Sequence, residues 1–263
     1  MKEMDLKKYL KRFSNTEVDF YRFNGNYGDS LIWHGTLKLM EELSINLKYV
    51  NTEDGVHNNV LFIDGGGNFV DYYFDVRDFL IKKNQQYKEV IILPHTINGE
   101  KQKSLLETLN NNVTIFCRDM ISYDFVKEYA KNCQVYIWHD CAFYNNFDSY
   151  KKNGTGILNA FREDCESIKK IKPKNNFDIS KNGYCKKPIK DFLEEISKYE
   201  EIRTDRLHIA IASTMLGKKV IMYPNSYYKN TAVYEYSLKK YPNITFIYSE
   251  DSNLLSFKNK KNE

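Results

Sequence analysis

Residues 60–68 run Val60-Leu61-Phe62-Ile63-Asp64-Gly65-Gly66-Gly67-Asn68. Four apolar residues in a row are too few for a helix and fit a short buried strand. The three glycines that follow cost chain entropy, which the close approach of a ligand or of another backbone segment would explain. A tight strand-to-helix turn explains them equally well. Asp71, four residues beyond Gly67, could act as a general base for a hydroxyl at the mouth of such a loop, or simply cap a helix.

The same alternation extends in both directions. Upstream, strand Val18–Phe23 leads through Asn24-Gly25-Asn26-Tyr27-Gly28-Asp29 into a helix from Ser30 to Leu43. Downstream come a helix near 74–84, strand Glu89–Leu93 with a loop Pro94-His95-Thr96-Ile97, strand Val113–Cys117, a helix from Arg118 to Ala130, and strand Val135–Trp138. A second series follows: strand Gly156–Phe161, a helix at 188–199, a strand at 201–203, a helix from Asp205 to Leu216 stopped by Gly217, strand Lys219–Tyr223, a helix near 230–240 and strand Ile244–Tyr248. Strands alternating with helices predict an α/β fold with largely parallel sheets. Stretches 145–156 and 169–185, rich in Asn, Lys and Gly, are expected to be loops. They divide the chain into an N-terminal Rossmann-like lobe, 1–145, and a C-terminal one, 146–263. In open α/β sheets ligands gather at the carboxyl ends of the strands, where the glycine segments and most candidate polar residues fall.

Composition narrows the function. With 39 basic and 35 acidic side chains the net charge is +4, too even a balance to point to nucleic acid. Basic residues cluster at the N-terminus, in 169–174 and at the tail (Lys258, Lys260, Lys261). Solvated faces account for such runs, and the alternative is at most a peripheral contact with an anionic membrane surface. Five dispersed cysteines without a CxxC pair argue against zinc ribbons and thioredoxin chemistry and fit reduced thiols. No two histidines are spaced as ligands on one helix, so no metal is expected. The first residues lack the apolar run of a signal peptide and no stretch approaches a membrane span, so the expected location is cytoplasmic.

Three segments carry candidate chemistry. Gly25 and Gly28 would allow positive φ, and the helix start after them offers N–H groups to an anion; Asp29 could equally serve as that helix's cap. In Thr204-Asp205-Arg206-Leu207-His208, Thr204 is a good N-cap and Asp205 suits the positive end of the helix dipole. Arg206 does not, because a cation in the first turn costs about 0.3–1 kcal/mol, which a bound anion would offset. His208, three residues after Asp205, would share its face. A surface pair of Arg206 with Asp205 or a glutamate is the alternative. Arg162, after the first strand of the second lobe, can grip phosphate or carboxylate bidentately. Arg118-Asp119 in the first lobe is expected to be an ion pair. His95, His139 and Asp140 also lie at strand ends.

Taken in order, Asn26–Leu31 (NYGDSL), Asp64–Asp71 (DGGGNFVD), Ile92–Ile97 (ILPHTI), Phe116–Ser122 (FCRDMIS), Phe161–Glu166 (FREDCE), Thr204–His208 (TDRLH) and Tyr223–Lys229 (YPNSYYK) resemble the polysaccharide pyruvyl transferase family. The resemblance implies a glycosyltransferase-B-like pair of Rossmann-type lobes with the active site between them. It further implies phosphoenolpyruvate as co-substrate, with no other cofactor, and a sugar, free or in a lipid-linked or nucleotide-linked glycan precursor, as acceptor. The product would be a pyruvate ketal, with phosphate released. Carried over by motif, Arg206, Leu207 and His208 line the donor site in the second lobe, Arg162 assists, and Asp71 matches the acidic residue after the glycine loop. The acceptor side would draw on Asn26, Gly28, Asp29, Gly66, Gly67, Asn68 and His95. The family's glutamine in the LPQTI loop is His95 here, and Val70 and Ile209 replace common glycines. A nucleotide-sugar glycosyltransferase of the same architecture, or an inactive glycan-binding protein, are the competing expectations.

Overall fold

The computed structural model describes residues 1–168, 172–182 and 188–248. The basic tail, Cys185 and parts of the 169–185 loop lie outside the described residues. The chain forms two compact units, one built on Met1–Asn146 and the other on Phe147–Lys181 with the residues from Asp191 onward.

The first unit contains, in chain order, α1 (Leu6–Leu10), β1 (Glu17–Tyr21), α2 (Tyr27–Leu43), β2 (Asn46–Val50), β3 (Val60–Ile63), β4 (Gly66–Val70), α3 (Asp75–Lys83), β5 (Glu89–Asn98), α4 (Glu100–Thr108), β6 (Val113–Cys117), α5 (Met120–Tyr129) and β7 (Gln134–Ile137). Its strands make one parallel sheet in the order β2-β1-β3-β5-β6-β7, with β4 also on β5. The chain winds one way to β2 and the other way from β3 onward, so the strand order reverses between β1 and β3. That is the switch point at which open α/β sheets bind ligands. Alternate residues Val18 and Phe20, Phe62, Ile91 and Leu93, Phe116 and Tyr136 share one sheet face and pack with Leu6, Leu10, Ile32, Leu39 and Met40 of α1 and α2 in a single buried core. β6 is buried at every position, as a strand covered on both faces must be.

Two expectations are corrected here. The glycine segment is not a loop: β3 and β4 pair in succession with the same strand, β5, and the chain jogs between them at Asp64 and Gly65. Likewise Pro94–Ile97 lies within β5, where the register shifts between Ile92 and His95. Proline cannot donate to a ladder, so in a central strand it requires such an irregularity.

The second unit holds β8 (Ile157–Asn159), α6 (Lys190–Ser197), β9 (Glu201–Thr204), α7 (Leu207–Met215), β10 (Lys219–Met222), α8 (Lys229–Val233), a π-helical turn at Tyr234–Leu238, and β11 (Ile244–Phe246). Its four strands are parallel in the order β8-β9-β10-β11. Helix α7 is apolar almost all round and correspondingly buried, from Ile209 to Thr214. It ends, as expected, at Gly217, whose φ of 77° permits the left-handed turn.

Candidate active site

In the first unit the candidate residues line the carboxyl ends of β1, β3, β4 and β5. Asn26 and Asp29 form a reciprocal cap on α2: the Asn26 side chain accepts from Gly28 N at 2.7 Å, and Asp29 Oδ2 accepts from Asn26 N at 2.8 Å. Gly25 and Gly28 do not take positive φ. Gly25 is required for another reason, since a Cβ there would lie 2.0 Å from Asp29 Oδ2. The closeness expected of the glycine run is likewise met by protein atoms. A Cβ on Gly66 would fall 2.5 Å from the Phe23 ring, and one on Gly65 2.9 Å from the Pro94 carbonyl.

Beneath this jog, Asp64 is buried and accepts from Thr36 Oγ1 at 2.8 Å and Gly65 N at 2.9 Å, with Arg22 Nε 3.9 Å away. Burial outweighs these partners and pushes its carboxyl up to about 7. Asn68 and His95 are both buried, and Asn68 Oδ1 meets His95 Nε2 at 2.9 Å. Burial and the nearby Arg118 guanidinium bring the imidazole down to about 3, so it is neutral. Arg118 is buried but pairs with Asp140 at 2.6 Å rather than with its neighbour Asp119, which instead caps α5 by accepting from Ser122 N at 2.8 Å. The adjacent residue points elsewhere because Asp119 is committed to the helix start. Asp71 is partly buried, and its Oδ1 accepts from Lys101 N at 3.1 Å at the start of α4. It lies against Gly99, whose φ of 122° and lack of a side chain make room for the carboxylate.

In the second unit, helix α7 begins at Leu207, so Arg206 is its N-cap and Thr204 and Asp205 precede it. This corrects the expectation that Thr204 caps the helix and that Arg206 lies in its first turn. Thr204 ends β9, where its hydroxyl donates to Ala160 O at 2.7 Å and accepts from Arg206 N at 3.0 Å. Asp205 does not share a helical face with His208. It is buried, accepts from Arg162 N at 2.7 Å, and is pushed up to about 6 by burial.

The two arginines do converge. Asp164 takes Arg162 Nε at 2.6 Å on one oxygen and Arg206 Nη2 at 3.0 Å on the other. Arg206 also holds Asp178 with contacts of 2.5 Å from Nε and Nη2, and Arg162 holds Glu166 at 2.6 Å. Lys229, at the start of α8, reaches the same Glu166 Oε2 at 2.7 Å. Both guanidiniums, Lys229 and Glu166 are nearly fully buried, whereas the Asp164 side chain is 41% exposed. Burial opposes ionisation of Asp164 and Glu166, but the surrounding cations win and hold both at about 2. A surface pair of Arg206 with Asp205 or a glutamate is therefore not what forms. His208 occupies the first turn of α7, partly buried, next to buried Leu207.

Reading by motif left out Lys229, Glu166, Asp164 and Asp178 as members of this cluster. The first three lie inside segments already quoted, YPNSYYK and FREDCE, so their signal was present. Asp178 comes from the 169–185 stretch, and only the fold carries it to Arg206.

Comparison with known proteins supplies the frame for this geometry. A family model for polysaccharide pyruvyl transferase matches residues 26–227. "Pyruvyl transferase 1" of Schizosaccharomyces pombe is 27% identical over 143 residues, 45% of this chain and 35% of that protein, so the match spans about a third of that relative. "Putative pyruvyl transferase EpsO" of Bacillus subtilis is 22% identical over 86% of each chain. The crystal structure of a functionally uncharacterized protein from Klebsiella pneumoniae subsp. pneumoniae superposes with a TM-score of 0.77 at 31% identity, covering 92% of this chain and 97% of that one. No helix among the described residues is long and apolar enough to cross a membrane. The model match over most of the chain makes it a transferase belonging to the polysaccharide pyruvyl transferase family.

Proposed function

We propose that the chain transfers a pyruvyl group from phosphoenolpyruvate to two hydroxyls of a sugar in a glycan or glycan precursor, forming a ketal and releasing phosphate. The observation that carries this reading is the pair of buried guanidiniums sharing one half-exposed carboxylate, Asp164, beside the start of α7. Buried cations need anionic partners. The phosphate or carboxylate of the donor would replace Asp164, the most exposed partner, while Asp178 and Glu166 keep the guanidiniums oriented. Such preorganised charge is commonly the largest source of rate enhancement.

In the proposed sequence His208 protonates the donor methylene, and one sugar hydroxyl attacks the adjacent carbon with Asp71 as base. Phosphate leaves and a second hydroxyl closes the ketal. Of the two hydroxyl protons, one ends on the new methyl group through His208 and the other on phosphate. That the two units are the Rossmann-type halves of a glycosyltransferase-B-like enzyme, working in the cytoplasm, belongs to the same proposal. Replacement of His208 by alanine is expected to abolish phosphate release from phosphoenolpyruvate, assayed across pyranoside acceptors, while the thermal midpoint stays unchanged. Near-normal turnover in that variant would remove His208 from the mechanism.

A further inference from the structure

A cleft of about 470 Å³ opens at the carboxyl ends of β1 and β2, next to the strand-order reversal and wholly within the first unit. That size falls within the roughly 300–1,000 Å³ of small-molecule sites. No residue of the family motifs lines it. Its walls are aromatic and are fixed in place. Trp33 Nε1 donates to the Tyr49 hydroxyl at 3.2 Å, the Tyr49 ring stands edge-on to Phe20 at 5.5 Å, and the Arg22 guanidinium lies 4.0 Å from the Trp33 ring centre. Yet Tyr49 keeps half its surface in solvent. The rim is polar: Asn24, Asn51 and Asp54 line the same space, and Asp54 is oriented by accepting from Asn51 N at 2.8 Å.

The charge of the lining selects among ligands. Its lining residues include one cation, Arg22, whose Nε lies 3.9 Å from Asp64, and one carboxylate, Asp54, so the walls present no cluster of cations to hold a diphosphate. The second unit, in contrast, concentrates Arg162, Arg206 and Lys229 in one cluster. A half-exposed Tyr49 beside a partly buried Trp33, with an amide and carboxylate rim, suits a ligand that has a flat apolar face edged by hydroxyls.

We infer that this cleft is a saccharide subsite in which Trp33 and Tyr49 pack against the face of an uncharged pyranose ring, while Asp54 and Asn51 accept and donate hydrogen bonds at its hydroxyls. The inference deepens the proposed function, because it rests on the acceptor being a sugar, and it assigns ring recognition to residues outside the family motifs.

The test uses intrinsic fluorescence of the Trp138→Phe variant, in which Trp33 is the remaining tryptophan of two. Methyl glycopyranosides of glucose, galactose, mannose and N-acetylglucosamine are titrated separately, and uridine diphosphate is titrated alongside. Isothermal titration of the unmodified protein with the same probes stands in if that variant does not fold. At least one glycoside should bind saturably, and both Tyr49→Ala and Asp54→Ala should weaken that binding about tenfold or more. No saturable binding by any glycoside, binding unchanged in either variant, or saturation by uridine diphosphate alone would overturn the inference. Phosphate release from phosphoenolpyruvate is measured on the same preparations. Release without glycoside binding defeats the subsite and spares the transferase reading; glycoside binding without release does the reverse.

Discussion

At Asp71 a substitution separates the hydrogen bond that the carboxylate makes from the proton transfer proposed for it. Its Oδ1 caps α4 through Lys101 N, and Asn keeps an acceptor at that point but cannot take a proton. Asp71→Ala should therefore cost about 1 kcal/mol of stability, the usual worth of a cap, whereas Asp71→Asn should unfold at nearly the wild-type denaturant midpoint. If Asp71 is also the base, Asp71→Asn loses turnover despite its intact stability, and unimpaired turnover would leave it a cap alone. Asp64 offers a second residue-scale test. Its folded-state value of about 7 lies above the ordinary carboxylate value, so the native state holds a proton that the unfolded chain has released. Its contribution to stability then falls as pH rises from about 4 to about 7. Asp64→Asn retains an oxygen for Thr36 and Gly65, and its advantage in thermal midpoint over wild type should grow across that window. A constant difference would show that Asp64 is not protonated in the fold.

At the scale of elements, β3, β4 and β5 behave as one device. The jog at Asp64 and Gly65 lets two successive strands pair with β5, and the register shift of β5 around Pro94 meets it from the other side. Phe23 closes over Gly66 and packs edge-on with His95 at 5.8 Å, so the ring has little freedom to retreat. Gly66→Ala should cost roughly 1–3 kcal/mol, the usual penalty for overpacking. Phe23→Leu in the same chain should recover part of it, because the two positions share one space. Chemical denaturation of the single and double variants checks this; strictly additive losses would mean that Phe23 is not the obstacle.

For the molecule as a whole, charge is unequally distributed between the units. The second unit's core is stabilised by Asp164 and Glu166, both held well below their ordinary values. That contribution is present above about pH 4 to 4.5 and is lost as pH falls toward 2. In the first unit the gain on acidification at Asp64, raised to about 7, is largely offset by the loss at His95, lowered to about 3. In the second unit Asp205, raised to about 6, adds stability only down to about pH 4, below which the losses at Asp164 and Glu166 stand alone. Both tryptophans, Trp33 and Trp138, lie in the first unit. On acid titration, part of the far-ultraviolet circular dichroism should therefore be lost at a higher pH than the change in tryptophan emission. Coincident transitions would show that the ion cluster does not set the acid stability of its unit.

The sequence by itself determined what depends on short-range pattern. Alternating apolar runs and helical periods gave parallel α/β units, and Gly217 marked the end of α7. The ordered motifs pointed to the family. Asp29 was readable as a capping residue because capping acts over three residues, but the helix starts at Tyr27 rather than Ser30, with Asn26 as its N-cap and Asp29 in its first turn. What only the tertiary structure decided are the partners of charged groups and the role of the glycines. Arg118 chose Asp140 over adjacent Asp119, and Arg206 chose Asp178, 28 residues away. The glycine run proved to be the joint between two strands, with Phe23 and Pro94 against it. The physical reason is that charge pairing and close packing act through space, and neither leaves a period along the chain.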